Sequence, residues 1–403
     1  MTGRIVLLGA TGFTGELTAR ALVRRGARPL LAGRSRERVR ALARELGGLD
    51  SAVADVARPA SIAALVRRGD VLVSTVGPFV RHGAPVVRAA IAAGAHYIDS
   101  TGESRFIRDV FELYGPQARA AGSGLLTAMG YDYVPGNLAG ALALRDAGRH
   151  AVRVDVAYFA SIATAGQLSG GTRASAAAML TEPGHAYRDG RIVGERAARH
   201  VREFGVASPA VAGVASPAVA GTADPRAAWP ELGGRAGPAV SIGASEQFAL
   251  PRVHPGLRDV GVWLGWFGAA SRPLQLLSAA TELVTKLPGA RRAIGAASAR
   301  LVRGSNGGPD AATRARARSV VVAVASDADG APLATVALEG AGPYDFTGAM
   351  LAWSAIRAAA GDLRGSGALG PVDGFGLDEL RGGVRDAGID RAACAVGSPD
   401  RVG

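Results

Sequence analysis

Gly9, Gly12 and Gly15 stand three residues apart in the stretch RIVLLGATGFTG, residues 4–15. The apolar run Ile5-Val6-Leu7-Leu8 precedes them, and residues 16–25 follow with helical spacing, Leu17, Ala21 and Leu22 on one face. Strand, glycine turn and helix in that order form a site for a dinucleotide. Gly9 permits the tight turn. Gly12 leaves room for a pyrophosphate, and Gly15 lets the helix pack close to the strand. Thr11, Phe13 and Thr14 fill the gaps at the helix start, where unpaired N–H groups and the helix dipole attract phosphate.

The second apolar run, 29–33, ends in Gly33-Arg34-Ser35. A site for NAD places a carboxylate about 20 residues beyond the glycines, to bond the ribose 2′-hydroxyl. Here that place holds Arg34, followed by Ser35, Arg36 and Arg38. A guanidinium forks onto a phosphate, whereas a carboxylate repels it, so the pattern predicts NADP(H). The third run, 51–54, ends at Asp55-Val56, which suits an adenine edge. The fourth, 70–76, ends in Gly77-Pro78-Phe79. The fifth, 94–99, enters Ser100-Thr101-Gly102-Glu103, and the sixth, 124–128, runs into residues 129–136. Such strand ends line the ligand crevice of an open α/β sheet.

Hydride transfer asks a protein chiefly for position and electrostatics. The nicotinamide is expected beyond strands four to six, near Gly77, Pro78, Phe79, Thr101, Glu103, Asp132 and Tyr133. A reduction needs donors where negative charge develops and a source for the proton. Tyr131, Asp132, Tyr133 and Glu103 are the candidates. Each has a structural alternative: aromatic packing for Tyr131, a hydrogen-bonded turn for Asp132 and Tyr133, a helix cap for Glu103. His82 touches the cofactor or starts a surface helix. Lys286 is the only lysine and has Glu282 four residues before it, so there is no Tyr-x-x-x-Lys pair of the short-chain dehydrogenase kind.

These elements predict an α/β fold. Residues 1–136 alternate strands and helices as a Rossmann-type doubly wound parallel sheet. Residues 137–344 read as an α+β substrate domain, with strands at 152–160, 241–250, 320–325 and 331–339. Helices are expected at 85–93, 173–180 and 270–303. Residues 345–403 carry the helices 346–360 and 377–387, which return to the first domain. The octad VASPAVAG occurs twice, at 206–213 and 214–221, and reads as a duplication in a flexible loop.

A chain of 403 residues accommodates two domains. The net charge of +12 comes from arginines scattered among carboxylates, with no basic run interleaved with aromatics. That argues against nucleic-acid binding, although the positive field suits an anionic cofactor or acyl substrate. The single cysteine, Cys394, excludes an intramolecular disulfide and a cysteine-based zinc site and fits a reducing cytoplasm. The six histidines lack metal-ligand spacing, so no metal is expected. The chain enters a strand at once, so no signal peptide is expected. No apolar run is long enough to span a membrane. Residues 260–270 read as a buried core segment, alternatively as an acyl-binding wall or a membrane-touching patch.

The motifs GATGFTG (9–15), AGRS (32–35), VGPF (76–79), AHYIDSTGE (95–103), GYDYVPGNL (130–138), SGGT (169–172), PYDFTG (343–348) and GPVDGFGLDEL (370–380) follow one another along the chain. In their order and spacing the sequence resembles the saccharopine dehydrogenase-like proteins, especially the bacterial branch with trans-acting enoyl reductases of lipid and polyketide pathways. The resemblance implies NADP binding by the first domain, an inserted α+β domain, and dimerisation through it. It implies an NADPH-dependent oxidoreductase acting on a conjugated C=C of a small molecule, acyl or polyketide in character. Alternatives are an imine or secondary-amine oxidoreductase and a non-catalytic NADP-binding sensor. Relatives often have a serine-rich turn after the Gly-aromatic-Asp triplet and an acidic residue after the proline. Here Tyr133 and Gly136-Asn137 stand there, which leaves the substrate class open.

Overall fold

The computed structural model describes residues 3–161, 169, 182–204, 237–284 and 307–392. Its first sheet is built from β1 (Ile5–Leu8), β2 (Leu30–Gly33), β3 (Ser51–Val53), β4 (Val71–Ser74), β5 (His96–Asp99) and β6 (Gly124–Leu126). The order is 3-2-1-4-5-6, all parallel, with Gly367–Ala368 added beyond β6. β1 is apolar throughout and β4 nearly so, and both are fully buried, as strands covered on both faces must be. The fourth strand is shorter than its apolar run. It ends at Ser74 because Thr75 turns its hydroxyl to the carbonyls of Leu8 and Gly9, at 3.2 Å each. That contact ties β4 to the glycine turn.

The helix after β4 spans Phe79–Ala93, a turn and a half earlier than Pro85 suggests. Proline favours a first helical turn, but a tertiary contact starts this helix: the Glu103 carboxylate accepts the N–H groups of Phe79 and Val80 at 2.9 and 2.8 Å. The helix Pro343–Ala360 returns to the first sheet, packing on Phe13–Arg24 and on β1, β4 and β5. The crossing is close: a Cβ on Gly348 would sit 3.0 Å from that of Leu17.

The second sheet is mixed, in the order Val201–Glu203, Pro238–Ser241, Asp259–Leu264, Arg153–Ala160, Arg318–Ser326, Pro332–Ala341, Ile389–Arg391. The hairpin His185–Arg188/Arg191–Gly194 pairs onto Asp259–Leu264. Residues 260–264 are thus a buried strand. The helix Val134–Ala147, apolar nearly all round and buried from Val134 to Leu144, packs on this sheet and on the helices Pro371–Phe375 and Leu377–Asp386.

The expected strand at 241–250 is instead the end of strand Pro238–Ser241, a turn, and the helix Glu246–Val253. A short apolar run does not decide between the two forms. Gln247 decides it by closing the turn, accepting the Ala244 N–H at 2.7 Å and donating to the Ile242 carbonyl at 3.1 Å. The helix expected at 270–303 is described over Ser271–Val284. The helix expected at 173–180, the octad repeat and Lys286 lie outside the described residues. Among the described residues no helix is long and apolar enough to cross a membrane.

Candidate cofactor and active site

The carboxyl ends of β1 to β4 open onto a cleft of about 400 Å³. Gly9, Thr11 and Gly12 line it after β1, Arg34 and Arg38 after β2, Asp55 and Val56 after β3, and Thr75, Gly77 and His82 after β4. Gly9 adopts φ +86°, the left-handed turn that glycine tolerates. A Cβ on Gly15 would lie 2.1 Å from the Gly9 carbonyl oxygen, so helix and turn touch backbone to backbone. Gly15→Ala is therefore expected to cost about 2 kcal/mol or more and to weaken dinucleotide binding. A denaturant melt and a dinucleotide titration read the two effects.

Three observations fit a dinucleotide phosphate here. A Cβ on Gly12 would touch only the Gly9 oxygen, at 3.3 Å, leaving open space on the cleft side. The first-turn amides of Phe13, Thr14 and Gly15 have no carbonyl four residues back within their helix. Arg34 is exposed and makes no ion pair or hydrogen bond with another described residue. Its neighbour Arg38 donates to the Thr11 carbonyl at 2.9 Å, which ties the β2 end to the glycine turn.

Other sequence candidates stand beside the cleft with internal work. Ser35 caps the helix Arg36–Glu45, accepting the Arg38 N–H at 3.3 Å. Phe13 meets Tyr344 edge-on, with ring centroids 5.1 Å apart, and Arg314 lies over its ring. Thr14 offers its carbonyl to the Thr18 hydroxyl. Pro78 precedes the helix that Phe79 opens, and Phe79 packs on Phe106. Thr101 is fully buried and accepts the Glu103 N–H at 3.0 Å.

Past Gly77 the chain leads to a smaller cavity, about 30 Å³, lined by Val80, Gly102, Glu103, Ser104, Tyr133 and Gly243 among others. Here the ends of β5 and β6 meet the second sheet's connections. The Tyr133 hydroxyl donates to the Gly102 carbonyl at 3.2 Å. Asp132 is half-buried against the same glycine, since a Cβ on Gly102 would stand 3.0 Å from its Oδ2. Desolvation pushes the Asp132 carboxyl up to about 6. Burial, then the negative charges of Asp132 and Glu246, hold the Tyr133 phenol well above its ordinary range.

Tyr131 lies elsewhere. Its hydroxyl donates to the Phe159 carbonyl at 3.1 Å, and its ring is enclosed by Tyr158, Phe346 and Trp266. Glu103 spends a carboxylate oxygen on each of two amides, as a cap from a neighbouring element.

Several site residues escaped the motif reading. Asp99, fully buried at the end of β5, accepts the amides of Thr101 and Ala128 and the Thr127 hydroxyl. Desolvation raises its carboxyl to about 6 against those hydrogen bonds. It pins both loops that carry the candidates. Behind Tyr133, its carbonyl accepts from Asn137 Nδ2 at 2.9 Å and from the Tyr158 hydroxyl at 3.2 Å. Tyr158 also contacts Glu246, and Asn137 contacts Ser245. Asp99 carried a signal, since it ends a strand inside a quoted motif. Glu246 and Tyr158 carried none, being far from Tyr133 in sequence.

Residues 5–124 match the family described as the saccharopine dehydrogenase NADP binding domain. Over 142 residues the chain is 46% identical to a putative trans-acting enoyl reductase of Mycobacterium tuberculosis, and over 140 residues 44% identical to a trans-acting enoyl reductase of Mycobacterium ulcerans. These matches span about a third of this chain and about a third of each relative (33% and 33% for the first, 33% and 34% for the second). Apo saccharopine dehydrogenase (L-Glu forming) of Saccharomyces cerevisiae aligns over 97% of this chain and 100% of its own, with a TM-score of 0.54 at 15% identity, a likeness of fold. With its 3-2-1-4-5-6 sheet, its glycine turn and this match, the segment 5–124 is a saccharopine dehydrogenase-type NADP-binding domain.

Proposed function

We propose that the protein is an NADPH-dependent reductase of a conjugated C=C bond in an acyl-type substrate, of the lipid or polyketide kind. The observation that carries this reading is the meeting of the Tyr133 hydroxyl and the Asp132 carboxyl at Gly102, on the side of the sheet away from Arg34. A dinucleotide laid along the crevice from Arg34 past Gly12 points its far end there. The enoyl reductases similar over about a third of this chain favour a C=C over a C=N bond.

Gly9, Gly12, Arg34 and Asp55 would hold NADPH, which when bound would supply the hydride. Tyr133, a neutral phenol, turns from the Gly102 carbonyl to the substrate carbonyl oxygen and stabilises the charge that gathers there. Asp132, its carboxyl protonated in part near neutrality, gives its proton to the alpha carbon and regains one from water. Glu103 and Asp99 hold the loops in place. The second sheet's connections, with Gly184, Ala197, Ile242 and Gly243, line the same cavity as Tyr133.

The test is consumption of NADPH, beside NADH, with enoyl thioesters, quinones and cyclic imines, coupled to mass detection of a two-hydrogen gain. Turnover of the thioesters supports the reading. Tight binding of NADPH with no turnover of any enoyl thioester overturns it and favours a sensor, and turnover confined to imines moves the chemistry to C=N. Within the reading, Tyr133→Phe is expected to lower kcat about a hundredfold, the effect of losing one oxyanion donor. With Asp132 as the acid, kcat/KM declines tenfold per pH unit above about 6, and Asp132→Asn is slow and flat over that range. A pH–rate profile of each variant checks both.

A further inference from the structure

We propose that His82, which lines the same cleft as Arg34 and Arg38, is an anion-binding residue for the 2′-phosphate of NADP(H), and that it makes the preference over NAD(H) depend on pH. The inference rests on the reading of this cleft as the cofactor site.

His82 lies in the first turn of the helix Phe79–Ala93 and lines the same cleft as Arg34, Arg38 and Asp55. Arg34 follows β2, at whose end the ribose 2′ position falls in this fold. The charged groups that act on the His82 ring come from three elements: Arg81 on its own helix, Arg34 after β2 and Asp55 after β3. Burial and then the two arginines lower the imidazole from its ordinary value, and Asp55 opposes them. Two cations thus share the cleft with a third, titratable group, around an open space. A histidine there costs little when the space holds no phosphate, because burial and the arginines favour the neutral ring. A phosphate placed among the three reverses the sign, raises the imidazole, and draws a proton onto it. Binding of NADP(H) then takes up a proton, whereas binding of NAD(H) does not.

The sign follows. Affinity for the phosphorylated cofactor gains from His82 as the pH falls through the window between the raised bound value and the lowered free one. The phosphate's own second ionisation, near 6, acts against this at low pH. It acts equally on a variant without the imidazole, so the comparison between proteins cancels it.

The experiment measures Kd for NADP⁺ and NAD⁺ by calorimetry with the full chain and with His82→Gln, at about pH 6 and about pH 8. Wild type is expected to bind NADP⁺ some five- to tenfold tighter than His82→Gln at the lower pH. The two should converge at the higher pH. NAD⁺ should bind both proteins alike, which also shows that the variant folds. Repeating the titration in buffers of different ionisation enthalpy should reveal proton uptake with NADP⁺ in wild type only. Tight NADP⁺ binding with the same wild type-to-variant ratio at both pH values overturns the role of His82 and leaves the cofactor reading standing. Binding of NADP⁺ no tighter than NAD⁺ at either pH overturns both.

Discussion

Arg34→Asp is expected to lower the affinity for NADPH by two to three orders of magnitude and to leave NADH binding equal or improved. The guanidinium stands exposed at the end of β2, on the rim of the cleft, with no carboxylate of the described residues paired to it. Charge-assisted hydrogen bonds to a phosphate are worth about 1.5–3 kcal/mol. Setting a carboxylate there adds repulsion of about 1 kcal/mol in a water-like medium. Their sum of about 2.5–4 kcal/mol corresponds to roughly two to three orders of magnitude. The carboxylate also accepts from the ribose hydroxyls of NAD(H), which is how NAD sites use this position. The effect should shrink as salt is added, because the group is exposed. Paired titrations of both cofactors decide the matter, and a variant that keeps its preference for NADPH would remove Arg34 from the site.

The second large effect concerns stability. Glu246 is fully buried beneath Tyr133, with Oε1 held by the Tyr158 hydroxyl and Oε2 without a hydrogen-bond partner among the described residues. Desolvation pushes its carboxyl up to about 8, from an ordinary value of 4.5. The folded chain therefore keeps a proton that the unfolded chain gives up above the ordinary value. The stability tied to that proton is full below about 4.5 and is lost as the pH rises towards 8. The slope approaches 1.4 kcal/mol per unit, so the loss is on the order of 3 kcal/mol by neutrality. Glu246→Gln keeps the acceptor for Tyr158 and removes the titration. It should match wild type near pH 5 and exceed it by a few kcal/mol near pH 8 in denaturant melts. Parallel profiles for the two proteins would show that Glu246 stays ionised in the fold.

The same residue explains why part of the site was not legible. That the glycine turn, Arg34, Asp55 and Gly77 line one cleft was readable, because a strand end and the loop after it are continuous chain. Glu103 was readable as a polar residue of note, with capping among its roles, but the helix it caps begins 24 residues earlier in the chain. Tyr131 and Tyr133 are nearly adjacent in sequence, yet one hydroxyl ends on Phe159 in the core and the other on Gly102 at the cavity. No periodicity separates them, because the turn between them sends their side chains into different surroundings.

By itself the sequence determined the doubly wound sheet, the return of the helix Pro343–Ala360 and the gathering of the glycine turn with the ends of β2 to β4, since these follow from local apolar runs and glycine spacing. Only the tertiary structure decided which tyrosine faces the cavity, that Gln247 closes a turn where a strand was expected, and that Glu246, Tyr158 and Asn137 gather behind Tyr133. Those outcomes depend on hydrogen bonds and desolvation between residues up to about a hundred positions apart (Asn137 and Ser245 are separated by 108), and such contacts leave no mark on the spacing of residues along a chain.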